Sequence, residues 1–233
     1  MTVPQQSPPV PTTATHHSPT AVEPATARAA TVLLVAGLLA GGCAETGTSE
    51  APANPGGAAS AGATGVPSVA ADGSIRGVFQ AWTAGATAVT YDPTAVPAGA
   101  TARVVLMPAA DGVTVTLSMT GLTPRRGYGA HLHTAPCTAT PAEAGSHYQH
   151  RPDPKAATSP PSVDPAYANP RNEVWLDVTT DPLGQASATA SQTWPFDAAG
   201  PPRSLVVHAQ RTETAAGTAG TAGARVACLT LPA

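Results

Sequence analysis

The sequence is short of charge. Only 11% of its 233 residues are Asp, Glu, Lys or Arg, and 14 acidic against 11 basic groups leave a net charge of −3 with neutral histidines. So few cations cannot assemble a basic face, which excludes a binder of the nucleic-acid phosphate backbone. Long apolar runs are also missing. The longest uncharged apolar stretch, residues 29–42, is too short to cross a bilayer comfortably. Aromatic residues make up 4% of the chain. The 26 prolines and 22 glycines amount to about a fifth of it, high but below a collagen-like or wholly disordered composition. What remains informative is a minority: three cysteines and seven histidines, with His131, His133, His147 and His150 close together and His208 further on.

The N-terminal region divides by texture. Residues 1–28 form a Pro/Thr/Ala/Gln tract without apolar periodicity and are expected to be disordered, since they cannot bury enough apolar area to offset the entropy of ordering. Residues 29–42 follow Arg28 and read as the apolar region of an export signal. The stretch ends at Leu39-Ala40-Gly41-Gly42-Cys43, which resembles the lipobox of bacterial lipoproteins and implies lipidation of Cys43 as the mature N-terminus. The expected location is therefore the cell envelope, lipid-anchored on the extracytoplasmic face of a membrane. Residues 44–85 read as a flexible Ala/Gly/Ser/Pro-rich tether, within which Ile75, Val78, Phe79 and Trp82 have the spacing of one face of a short helix.

From residue 86 to 233 the pattern becomes short, alternating, β-branched runs. Strands are expected over 87–92, 101–107, 113–119, 129–134, 173–179, 185–192, 204–209 and 225–231, with Asp111-Gly112 turning a hairpin because that pair tolerates positive φ. Eight strands without a long helix argue for an all-β fold, an antiparallel sandwich or flattened barrel of about 145 residues with long loops. His131 and His133 lie two apart in one strand, so both imidazoles share a face and can converge on one ion. His147 follows Gly145 in a loop, and His208 ends a distant strand. Four imidazoles without a thiolate suit copper or zinc and do not choose between them.

These residues carry a family resemblance. Gly121-Leu122-Thr123, Gly129-Ala130-His131-Leu132-His133, Cys137, Ala144-Gly145-Ser146-His147, Arg203-Ser204-Leu205-Val206-Val207-His208 and Ala222-Gly223-Ala224-Arg225-Val226-Ala227-Cys228 resemble copper/zinc superoxide dismutases in order and local wording, over about residues 86–231. The resemblance implies an eight-stranded Greek-key sandwich with copper held by His131, His133, His147 and His208. It places Arg225 beside the copper as the group that attracts superoxide. It also joins Cys137 to Cys228, closing a loop of about ninety residues worth roughly 4–5 kcal/mol in the chain-entropy model.

The chain departs from the family at the zinc site, which there uses the bridging histidine, two further histidines and an aspartate. Only His147 and His150 stand in that stretch, with Asp153 and Asp164 as oxygen donors, and Glu173 falls about where the aspartate ligand belongs. Zinc on His147, His150 and Asp153 is therefore disfavoured, and copper alone is the expected cofactor. Residues 209–224 are also poor in the charged residues that guide substrate in the family, which leaves Arg225 and the ion, helped by Arg211, to attract the anion. The family aspartate that ties copper and zinc ligands together would fall near Thr212, with Glu213 the nearest carboxylate. The expectation is a copper-dependent superoxide dismutase acting on the superoxide anion and compatible with a homodimer. The alternative is a non-catalytic copper-binding or copper-buffering lipoprotein on the same fold.

Overall fold

The computed structural model describes residues 68–156 and 161–233. The expected disordered tract, the export segment, Cys43 and the tether as far as residue 67 lie outside the described residues. Ten strands follow in order: β1 Ser68–Val69, β2 Ile75–Val78, β3 Ala88–Thr90, β4 Thr101–Ala109, β5 Gly112–Thr120, β6 Gly127–His133, β7 Val178–Thr179, β8 Ala186–Gln192, β9 Ser204–His208 and β10 Arg225–Thr230. A single 3-10 turn, Pro141–Ala144, is the only helical element among the described residues, and none is long and apolar enough to cross a membrane.

The strands form two five-stranded antiparallel sheets, in the orders β1-β2-β4-β5-β8 and β3-β10-β9-β6-β7. Pairing of β5 with β8, β6 with β9 and β3 with β10 sends the chain repeatedly from one sheet to the other, the over-and-back path of a Greek key. The sheets stay separate, so the fold is an open sandwich and not a closed barrel. Period-two alternation explains the core. Val104 of β4 and Val115, Leu117 and Met119 of β5 point inward, while Thr114, Thr116 and Ser118 face outward toward solvent. They meet Tyr128, Ala130 and Leu132 of β6, Leu205 and Val207 of β9, and Leu229 of β10.

Three expectations need correction. In place of the helical spacing over residues 75–82 stands strand β2, which pairs with β4 and carries Ile75 into the core; Phe79, just after it, is also buried, while Val78 and Trp82 stay exposed. Eight residues make a marginal helix, whereas a neighbouring strand satisfies the backbone immediately. The stretch expected as tether thus already belongs to the sheet by β1 and β2. At the β4–β5 hairpin, Ala109 pairs with Gly112 across Ala110-Asp111, and Gly112 does not have positive φ. Its role is room: a Cβ there would collide with the carbonyl oxygen of Gln192 on β8. The expected strand 173–179 shortens to β7, preceded by single bridges from Trp175 to His131 and from Glu173 to Gln149.

The second sheet is buried on both faces. Its inner face packs on the first sheet, and its outer face carries Gly129, His131 and His133 of β6 with Val206 and His208 of β9 beneath the long loops. Cys137 and Cys228 are joined by a disulfide, as the resemblance implies, within a small buried cluster of Val89, Ala144 and Val206.

Candidate metal centre

Alternation along β6 sends His131 and His133 to the outer face, fully buried, while Ala130 and Leu132 enter the core. Hydrogen bonding sets Gly129 opposite His208, which brings His208 onto the same face. His147 arrives from the loop after Gly145 and bridges to His133. One ring nitrogen from each of these four histidines lies within 4.8 Å of all the others, the one such cluster among the described residues.

The remaining nitrogen of each ring is already engaged. His133 Nδ1 is 3.0 Å from the Gly145 carbonyl and His208 Nδ1 is 3.3 Å from the Gly223 carbonyl, so each donates its proton there. Their Nε2 atoms then face one another 3.4 Å apart with lone pairs inward. His147 Nδ1 meets the Glu173 carboxylate at 2.8 Å. His131 Nε2 lies 2.7 Å from the Thr212 hydroxyl, and its Nδ1 is buried without any partner. Inward lone pairs and an orphaned buried nitrogen are costly unless a cation takes them, so the donor set fits a metal ion. Burial, reinforced by the His147 charge, holds His131 and His133 well below the usual histidine pKa. The same causes push His208 down to about 3. All three are thus neutral at pH 7 and ready to ligate. Imidazole donors of this kind accept copper and zinc alike.

Arg225 joins the site through an irregularity in β10. It pairs with His208, but Ala227 pairs with Val207, so Val226 is an extra residue on that strand. This bulge turns Arg225 to the histidine face although Cys228, three residues on, also faces outward. The guanidinium donates to the carbonyls of Pro141 at 2.8 Å, Ala142 at 3.2 Å and Gly145 at 2.6 Å. A cavity of about 160 Å³ reaches His147, His208 and Arg225 from outside, roofed by Ser162 and Gly220–Gly223. The Arg225 guanidinium is the one side-chain cation besides the imidazoles in that lining.

The family-model comparison settles kinship: residues 100–230 match the family described as copper/zinc superoxide dismutase (SODC). The chain belongs to this family. Among solved structures, it is similar to the Cu/Zn superoxide dismutase from Brucella abortus, at 22% identity and a TM-score of 0.39, over 55% of this chain and 86% of that one. It is also similar to a double mutant of a SOD-like protein from Bacillus subtilis, at 16% identity and a TM-score of 0.39, over 56% and 88%. No curated protein matches the chain.

Not every expected residue of this dismutase-family chain joins the cluster. The His150 ring stacks on Trp194, 4.8 Å between centroids and 8° from parallel. Asp153 accepts from the Lys155 amide and the Ser162 hydroxyl, anchoring the Pro-rich loop. Neither belongs to the convergent donor set. Arg211 donates to the Thr179 hydroxyl instead of facing the site mouth.

Sequence reasoning set Glu173 about where a zinc-ligating aspartate belongs without foreseeing that it serves His147, and it missed Asp177. Glu173 is almost fully buried and also accepts from Trp175 Nε1 at 2.7 Å and Gln149 Nε2 at 2.8 Å. Asp177, and not Glu213, reaches Thr212, accepting from its hydroxyl at 2.6 Å and its amide at 2.7 Å. A signal was present: in 173–179, Glu173, Trp175 and Asp177 alternate with buried Val174, Leu176 and Val178, which places three polar-edged side chains on the histidine face.

Proposed function

We propose that this chain is a copper-dependent superoxide dismutase working outside the cytoplasm. The observation that carries the reading is the convergence of four ring nitrogens, at least three on neutral imidazoles, beside one half-buried guanidinium at a small cavity. His131 Nδ1 and the Nε2 atoms of His133, His147 and His208 would hold the ion. Copper, when bound, supplies the one-electron chemistry by which one superoxide becomes dioxygen and a second, with two protons, becomes hydrogen peroxide. Arg225 binds and orients the anion, its own position fixed by three carbonyls. Whenever its Nε2 is released from the ion, His147 can carry a proton there toward the reduced oxygen species, because the Glu173 carboxylate 2.8 Å from Nδ1 balances the resulting imidazolium. Copper alone is favoured because that same Nδ1, the atom a bridging histidine would give to a second metal, is occupied by Glu173.

Export and lipidation at Cys43 complete the proposal. They are supported by the lipobox-like sequence and by the Cys137–Cys228 bond, which belongs to an oxidising compartment. Mass spectrometry of the mature N-terminus tests this point: an unmodified Cys43 refutes the anchor.

Metal analysis and pulse radiolysis of copper-loaded protein test the activity. One copper per chain with superoxide decay above free-ion controls is expected, and His131→Ala and His208→Ala should each lose both. The alternative, a copper-binding module without turnover, is favoured by one observation: residues 209–224 bring only Arg211 and Glu213 as charges to the site's surroundings. Stoichiometric copper without accelerated decay would select it.

A further inference from the structure

The partners of His131 point to a directional device, and we propose that Thr212 and Asp177 form a relay that decides which nitrogen of His131 faces the metal. The inference rests on the metal-centre reading above but concerns these two positioning residues. An ionised aspartate only accepts, and a threonine hydroxyl has a single proton to donate. Asp177 Oδ1 lies 2.6 Å from Thr212 Oγ1 and takes that proton, while Oδ2 accepts from the Thr212 amide at 2.7 Å, so the carboxylate grips one residue twice. The hydroxyl has only lone pairs left for His131. At 2.7 Å, His131 Nε2 must therefore be the protonated nitrogen, and Nδ1 keeps its lone pair.

The opposite tautomer fails at both ends. It would set the Nε2 lone pair against that of Oγ1 and leave a buried N–H at Nδ1, an atom with no partner among the surrounding groups. Asp177 cannot do this unaided, because its nearest oxygen is 3.8 Å from His131 Nε2, beyond a hydrogen bond. The hydroxyl is the necessary intermediate. It comes from the 209–224 loop while the carboxylate comes from the segment leading into β7, so the relay also ties those two segments together over the ligand.

The test is the nitrogen spectrum of the metal-free, full-length protein. Long-range proton–nitrogen correlation should show His131 as the Nε2–H tautomer in the unaltered protein and in Thr212→Ser, whereas Thr212→Val, which keeps the shape and removes the hydroxyl, should populate the Nδ1–H form. Competition titration with Cu(II) and Co(II) should show affinity reduced about 10–100-fold in Thr212→Val and restored in Thr212→Ser. An Nδ1–H tautomer in the unaltered protein overturns the proposal without any variant, as does Thr212→Val retaining both tautomer and affinity. The expected tautomers in a protein whose copper shows no turnover would sink the dismutase reading and leave the relay standing.

Discussion

Breaking the Cys137–Cys228 bond is the perturbation whose magnitude follows most directly from the structure. The bond spans 91 residues, and the chain-entropy relation gives a loop of that length about 4.6 kcal/mol of destabilisation of the unfolded chain. Against a total of about 5–15 kcal/mol for an ordinary domain, that is a large share. Both sulfurs sit in a buried cluster, so replacing them also alters packing. The clean comparison is therefore the metal-free protein, oxidised and reduced, with the Cys137→Ala/Cys228→Ala variant as a control for packing. Urea unfolding should lose roughly 4–5 kcal/mol on reduction, and slopes of about 1–3 kcal/mol per molar make that a midpoint shift of molar size. The bond also joins the start of the loop bearing His147 to the strand bearing Arg225, so the reduced form should bind copper less tightly. A stability loss below about 1 kcal/mol with an unchanged unfolding slope would refute the loop-entropy reasoning.

Other outcomes follow from the site. In the metal-free protein, His131, His133 and His208 have folded pKa values below the unfolded value of about 6.5, so the stability of burying them neutral is complete above that pH and drains away as pH falls toward 3. His208→Asn should flatten the pH slope of unfolding free energy near pH 5 by about one proton; an unchanged slope removes His208 from the account. Glu173→Gln keeps an acceptor for Trp175 but removes the charge facing His147, and copper affinity or turnover should fall about 10–100-fold in competition titration and pulse radiolysis. Wild-type values for both would show that the carboxylate only fills space. Gly129→Ala would place a Cβ 2.7 Å from Ala222 Cβ and 2.8 Å from the Gln210 carbonyl, forcing the 209–224 loop outward at a cost of about 1–3 kcal/mol. Thermal unfolding checks the cost, and an unaltered melting temperature would mean that the loop yields freely.

The ligand strands and the long hairpin were legible because they obey period two with β-branched residues, and the same period put His131 and His133 on one face. Three things were not. Helical spacing at Ile75, Val78, Phe79 and Trp82 misleads because the apolar residues of β2 and of the segment after it coincide with a helical stripe, and only the presence of β4 decides between them. The space requirement at Gly112 depends on β8, some eighty residues away. The roles of Glu173 and Asp177 depend on which loop covers the second sheet, a long-range arrangement that local alternation foreshadows but cannot assign.

One carbonyl oxygen, that of Gly145, is shared by two groups with different tasks: His133 Nδ1 at 3.0 Å and Arg225 at 2.6 Å. The guanidinium and the His133 ring are thus pinned to one point of the segment that leads to His147, and any displacement of that peptide would be felt by both groups at once through a single backbone atom.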